Sequence, residues 1–453
     1  MAAPTANPTQ PNFDAALADE AVAHLQALLR IDTTNPPGNE TPAAEYLAGL
    51  LAKAGLEPFL DGPTPERKSV VARLRGTGEK PPLLLHAHLD VVPVELDQWT
   101  HPPFAGGIHD GYLWGRGAID MKHMAVMCVL VLGRLAAEGR KLSRDIIFAG
   151  VADEEAGCDH GSKFLVDNHP ERVRAEYALG ENGGFTVHIA GRALYPVQVA
   201  EKGTVWMKLK AKGSPGHGSM PRDDNAVVRL SEAIAKLGRA HMEHHLSEAS
   251  SSYIDALAAS QGFPKSLLLK GLKSPLLARR VLGLIPDKGA AAAIGAILSN
   301  TAVPTVLRAG SKTNVIPSEA ECEVDGRSLP GQSAADLVAE VQAIVGEGIE
   351  IVVMRDMPPV ATPAPSPLFD AIVQTMAEHE PGAIVVPSLV PGFTDAKQYS
   401  RLGARCYGFC PVRFPVDAPK FTDLFHGHNE RIPVEGLRWG VQVLRDVVRR
   451  VAE

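Results

Sequence analysis

The sequence predicts one α/β domain built in two pieces, with a smaller α+β domain inserted between them. Three observations carry this reading. Continuous apolar strands alternate with helical patterns until about residue 198, the signature of a layered sheet with helices on both faces. From there to about residue 359 the strands alternate apolar with polar residues, as in antiparallel sheets wetted on one face. Beyond the Pro-rich connections at Pro358–Pro359 and Pro363–Pro367, the α/β character returns. The expected pieces are therefore 1–198 and 360–453 for the first domain and 199–359 for the insertion.

In order, Ala15 to Ile31 carries Leu17, Val22, Leu25, Leu28 and Leu29 at helical spacing and stops in the loop Thr33-Thr34-Asn35-Pro36-Pro37-Gly38. A second helix is predicted near Pro42 to Ala54. Strands follow at Ser69–Leu74 and Pro82–His86, then a long buried helix at Lys122–Glu138 and a buried strand at Asp145–Val151. Tyr195–Ala211 alternates, Ala226–Arg239 is a helix, Thr305–Arg327 returns to strand, and Ala334–Val345 is a helix. The stretch 242–300 is helical in composition. Its basic, Leu-rich part, 265–288, reads first as packing within the insertion, with shielding of an acyl chain or contact with a membrane surface as the alternative.

At 453 residues the chain exceeds one ordinary core. A net charge of −7 argues against nucleic acid as a partner, which needs a basic face. The five cysteines are scattered, with no Cys-x-x-Cys pair, so neither a disulfide framework nor a thiolate metal site is indicated. Met1 to Asn12 is a polar, Pro-rich tail without a secretory pattern, and no apolar run is long enough to span a membrane. The expectation is a soluble, cytoplasmic protein.

Five motifs carry chemistry. Leu85-His86-Ala87-His88-Leu89-Asp90 ends a buried strand, and His88 and Asp90, two apart, share one face of an extended chain. A carboxylate there can hold the free imidazole nitrogen and fix the ring for a cation; the alternative is a structural histidine beside a solvated aspartate. Gly115-Arg116-Gly117-Ala118-Ile119-Asp120 precedes an apolar helix, and taken alone Asp120 reads as its N-cap. Asp153-Glu154-Glu155 leaves a core strand as three adjacent carboxylates, which repel one another unless cations neutralise them. Glu181 stands at another strand end. Phe425-His426-Gly427-His428-Asn429-Glu430 lies far downstream. Together these supply the imidazole and carboxylate mix that suits zinc, cobalt or manganese.

Taken as an ordered set, these motifs resemble the di-zinc family of aminoacylases, acetylornithine deacetylases, succinyl-diaminopimelate desuccinylases and glutamate carboxypeptidases. The resemblance covers nearly the whole chain. It extends to Gly216-His217-Gly218-Ser219-Met220-Pro221, Asn314-Val315-Ile316-Pro317, Asp325-Gly326-Arg327-Ser328-Leu329-Pro330-Gly331 and Pro391-Gly392-Phe393-Thr394-Asp395-Ala396. It implies a zinc-exopeptidase-like α/β/α catalytic domain with an inserted dimerisation and lid domain made of a ferredoxin-like sheet plus helices. It implies two divalent ions, zinc first, bridged by Asp120, with His88 and Glu181 completing one site and Glu155 and His426 the other. Asp90 would be the partner of His88, and a cis peptide would follow Asp120. Glu154 would take the proton of a water shared by the ions as that water attacks an amide carbonyl.

The family also implies that His217, from the partner subunit of a homodimer, stabilises the oxyanion. Arg327, Asn314 and backbone N–H groups near Thr394 would bind the free carboxylate of a small-molecule or short-peptide substrate. Taken alone, His217 is a loop histidine between glycines and Arg327 a surface ion pair. A glutamate at position 181 goes, in the family, with N-acyl amino acids and C-terminal amides. The rival readings are a dipeptidase or aminopeptidase, or a binding protein that has lost activity. The chain departs from the family at Gly180 and Asn182, where relatives read Asp and Gly, and at Lys397, where they read Arg.

Overall fold

The computed structural model describes residues 13–189 and 191–453, so the Pro-rich tail 1–12 lies outside the described residues. Two compact units result. The first comprises residues up to 198, 362–387 and 394–453; the second comprises 199–361 and 388–393.

In the first unit, one mixed sheet runs in the order 59–61, 69–74, 146–151, 83–88, 177–180, 405–408, 192–201. Its centre is parallel: 83–88 pairs with 146–151 on one side and 177–180 on the other, and 405–408 continues beside 177–180. Strands Leu83–His88, Ile146–Val151 and Tyr177–Gly180 are buried along their whole length, as continuous apolar runs in a covered sheet require. Helices Ala15–Leu29, Lys122–Glu138 and Val434–Ala452 pack together on one face. On the other, Leu84, Ile147, Ala149, Val151 and Ala178 meet Leu165, Val166, Ala396 and Tyr399. The result is an α/β/α sandwich.

The first helix spans Ala15–Leu29, opened by the Asp14 carboxylate accepting from the Leu17 N–H at 3.0 Å. The segment read as alternating from Tyr195 divides in two. Strand Arg192–Glu201 is buried continuously from Leu194, and only Gly203–Lys212 alternates. The first of these lies inside the large sheet, so both its faces are covered.

The second unit holds a four-stranded antiparallel sheet in the order 301–309, 319–328, 203–212, 349–357. With helices Ala226–Arg239 and Ala334–Val345 it makes a βαββαβ ferredoxin-like layer. Met207, Leu209, Leu230, Ala233, Val324, Leu337 and Val341 form its core. Helix Ala334–Val345 starts in a capping box of Ser333 and Asp336. Between the first helix and the second strand of this layer lies the excursion 242–300, which resolves into four short helices: Glu248–Ala259, Lys265–Lys270, Pro275–Leu284 and Lys288–Ala296.

Candidate metal centre

Parallel strands deliver the site. His88 is the last residue of strand 83–88, Glu154 and Glu155 follow strand 146–151, and Glu181 follows strand 177–180. All three strands end at the same edge of the sheet, where α/β folds gather their ligands. Asp120 comes from the turn before helix Lys122–Glu138, and His426 from the loop after Phe421–Leu424.

Asp120 joins the two halves. Its Oδ1 lies 3.1 Å from His88 Nε2, and its Oδ2 lies 3.0 Å from His426 Nε2. Glu155 approaches His426 Nε2 at 3.1 Å, and Glu181 stands 3.9 Å from His88 Nε2. Two ligand groups result: His88, Asp120 and Glu155, and His88, Glu154 and Glu181, each with its donor atoms within 4.8 Å of one another. The five residues expected as cation ligands thus converge, together with Glu154. The helix-cap reading of Asp120 is overturned. Met121 is the N-cap, reached through a cis Asp120–Met121 peptide, and the Asp120 carboxylate turns to the histidines.

The charges are those of a cation site. Burial, then the field of Glu181, pushes the Glu154 carboxyl well above its ordinary range. Burial likewise raises Glu155 and Glu181. Burial pulls His88 down, but its hydrogen bond to Asp120 and the fields of Glu181, Asp120 and Glu154 outweigh this and hold it well above normal. His426 is pushed up to about 10 by its bonds to Asp120 and Glu155. Glu181 Oε1 is buried without a hydrogen-bond partner. A pocket of crowded carboxylates with an orphaned oxygen and two imidazoles fits hard-to-borderline divalent ions.

Asp90 acts differently from expectation. His88 Nδ1 lies 3.0 Å from the Asp90 main-chain oxygen and 3.6 Å from its carboxylate. A carbonyl only accepts, so Nδ1 carries the proton and Nε2 faces the site. The Asp90 carboxylate is already engaged: it accepts from Asn35 Nδ2 at 2.8 Å and from the Glu154 and Glu155 N–H groups at 3.1 Å each.

Three supports went unread in the sequence. Glu430, fully buried, accepts from Arg116 Nη1 at 2.8 Å and from the N–H groups of Gly117, Ile119 and Asp120 at 3.1, 2.8 and 3.1 Å, clamping the turn that carries Asp120. Asn35 bridges Asp90 and Asp153. Arg67 forms a two-pronged pair with Glu40 and also reaches Asp153. Asp153 itself takes a left-handed φ of 68°. The available signal for these was a polar residue in each loop flanking a motif, which looks the same as a solvated one.

The departures at Gly180 and Asn182 acquire a structural account. A Cβ on Gly180 would stand 2.2 Å from two ring atoms of His86, so His86 fills the space a side chain there would take. Asn182 adopts φ 65°, the left-handed region that asparagine tolerates better than most residues.

The remaining predicted residues have contacts of their own. Thr394 is buried, its hydroxyl accepting from the Ala396 N–H at the start of helix Ala396–Ser400. In the second unit, His217 lies on a short ribbon in which Gly216 pairs with Ile316 and His217 with Val315, and Asn314 is the turn residue just before Val315. His217 Nδ1 accepts from the Ser219 N–H at 3.3 Å, which leaves Nε2 of the exposed ring as the donor. Arg327 is held by Asp325 through Nε and Nη2, at 2.8 and 3.2 Å, and by Thr204 through Nη1. The ion-pair reading is thus what this unit contains, and carboxylate binding by Arg327 requires sharing or exchanging that pair.

Fold and site define a metal-dependent hydrolase acting on amide bonds. The chain belongs to peptidase family M20/M25/M40, whose model matches residues 84–450. It is 30% identical over 389 residues to a Dictyostelium discoideum protein named probable carboxypeptidase S-like 2, covering 82% of this chain and 72% of that one. It is also 30% identical over 372 residues to the Xenopus tropicalis N-fatty-acyl-amino acid synthase/hydrolase PM20D1, covering 80% and 70%. The structure of an M20 family metallo-carboxypeptidase from Sulfolobus solfataricus superposes with a TM-score of 0.73 at 19% identity, covering 96% of this chain and 99% of that one. No helix among the described residues is long and apolar enough to cross a membrane.

Proposed function

We propose that this protein hydrolyses the amide bond of N-acyl amino acids, or the C-terminal peptide bond of short peptides, whose product keeps a free carboxylate. The observation that carries the reading is the Asp120 carboxylate, each oxygen of which faces a different histidine. In this reading His88, Asp120 and Glu181 hold one divalent ion, and Asp120, Glu155 and His426 a second, with zinc the first choice and cobalt or manganese next. When bound, such ions lower the pKa of a water and polarise the scissile carbonyl.

The chain's own residues do the rest. Glu154 takes the proton of the attacking water and passes it to the leaving nitrogen as the C–N bond breaks, giving a carboxylate and a free amine. Asp90 fixes the His88 ring through its main-chain oxygen and seats Glu154 and Glu155 through its carboxylate. In the proposed homodimer, His217 offers its Nε2–H to the developing oxyanion. Asn314, Arg327 and the N–H groups near Thr394 take the substrate carboxylate, for which a planar guanidinium is suited. Five buried free cysteines agree with a cytoplasmic setting.

The test is amine release from acetyl-, long-acyl- and dipeptide substrates by dialysed protein resupplied with zinc, cobalt or manganese. Glu154→Gln should lose ~10²–10⁴-fold in turnover with cation content unchanged. Near-normal turnover in that variant would remove Glu154 from the mechanism, and an inert wild type across the panel would remove the activity.

A further inference from the structure

The helical excursion of the second unit presents a surface that the hydrolytic reading does not use. Between Phe263 and Lys288 stand six cationic side chains, Lys265, Lys270, Lys273, Arg279, Arg280 and Lys288, against a single acidic one, Asp287, so the stretch carries +5 in a chain of net −7. Lys273 pairs with Asp255 at 2.8 Å.

Helix Pro275–Leu284 divides its faces sharply. Ala278 and Val281 are buried and, with the buried Leu272, tie it to its neighbours. The outward stripe holds Leu276, Arg280 and Leu284 at four-residue spacing, with Leu277 beside them. Leu276 is 86% exposed and Leu284 65%, while in the adjoining segment Phe263 is 86% and Leu267 65% exposed. The expectation that these leucines serve internal packing is therefore corrected: packing uses Leu272, Ala278 and Val281, and the larger side chains point to water. Exposed leucines and a phenylalanine gathered in one short stretch of chain among cations differ from the scattered single apolar residues of an ordinary surface.

We propose that this face, residues 263–288, docks on the surface of an anionic phospholipid bilayer. The charge excess matches a negative headgroup layer, and Phe263, Leu267, Leu276 and Leu284 supply the side chains that enter the boundary between headgroups and acyl chains. A second copy of the chain is the poorer occupant, because two such faces would set +5 against +5. The protein attaches peripherally, through a site separate from the metal centre, and the inference does not depend on which amide is cleaved.

The experiment is co-sedimentation of the full-length protein with vesicles of phosphatidylcholine alone, or with about 30% phosphatidylserine, at low salt and at about 1 M salt, where the screening length shrinks to ~3 Å. The protein should pellet with the anionic vesicles at least tenfold more strongly than with the neutral ones, and high salt should release it. Arg279→Glu with Arg280→Glu, and separately Leu276→Ser with Leu284→Ser, should each weaken anionic binding at least tenfold. Thermal unfolding and vesicle-free hydrolysis of a water-soluble N-acyl amino acid should stay at wild-type values; thermal unfolding alone suffices as the folding control should the wild type not hydrolyse it. Wild-type protein remaining in the supernatant with anionic vesicles, or binding both vesicle types equally, overturns the proposal. So does light scattering in which Leu276→Ser with Leu284→Ser turns a dimer into a monomer.

Discussion

Arg67 Nη2 stands 2.7 Å from Asp153 Oδ1, both side chains buried, and the same guanidinium holds Glu40 at 2.7 and 2.9 Å. One cation thus anchors the strand-end turn that carries Glu154 and Glu155 to the loop after the first helix. Replacing it by Met takes the guanidinium away from two buried carboxylates, Glu40 and Asp153. Arg67→Met should cost ~3–5 kcal/mol in urea unfolding, as breaking a buried pair from one side does. A loss under about 1 kcal/mol would mean the network is solvated.

Glu430 acts on Asp120 through the backbone. Glu430→Gln keeps the shape and removes the charge that matches Arg116 and three N–H groups. Affinity for cobalt, measured by competition with a chelating dye, should fall ~10–100-fold while all ligand side chains remain. Unchanged affinity would show that the turn holds itself.

His86 and Gly180 share one space. Gly180→Ala should destabilise by ~1–3 kcal/mol through overpacking. With His86→Ala in the same chain the penalty should shrink, a coupling that a double-mutant cycle in calorimetry reads directly. Strict additivity of the two changes would break the pairing.

Lys202 is buried in the second unit, donating to the carbonyls of Ala296 and Ser299 at 2.9 Å and to Thr301 Oγ1 at 3.2 Å. Burial, then the charge of Arg327, pushes its pKa from 10.5 down to about 7. Between those values the unfolded chain binds a proton that the folded chain does not, so stability rises with pH in that window and is flat below it. Compared with Lys202→Met, the wild type should gain up to ~1.4 kcal/mol per pH unit from pH 7 towards 10 in urea titrations. A difference independent of pH would mean the ammonium stays charged in place.

The strands that build the site were legible because each is a short apolar run that stops at a charged residue, as Leu83–His88 does before Asp90. Buried sheets leave that trace in any sequence. The converging candidate ligands were legible only as a set, since His426 alone resembles the other histidines of the chain. Glu430, Asn35 and Arg67 escaped because their role lies in distant backbone N–H groups and carboxylates, and no periodicity records such a partner. The helices of 242–300 blurred for a different reason. With Leu276 and Leu284 facing outward, hydrophobicity no longer marks the inner face.

His426 and Glu155 meet across 271 positions of sequence. During synthesis, the imidazole of His426 therefore joins the chain long after the strand-end carboxylates of Glu154, Glu155 and Glu181. In the proposed centre, cation loading waits for that imidazole, and a nascent chain that stops short of His426 has nothing with which to close the second half.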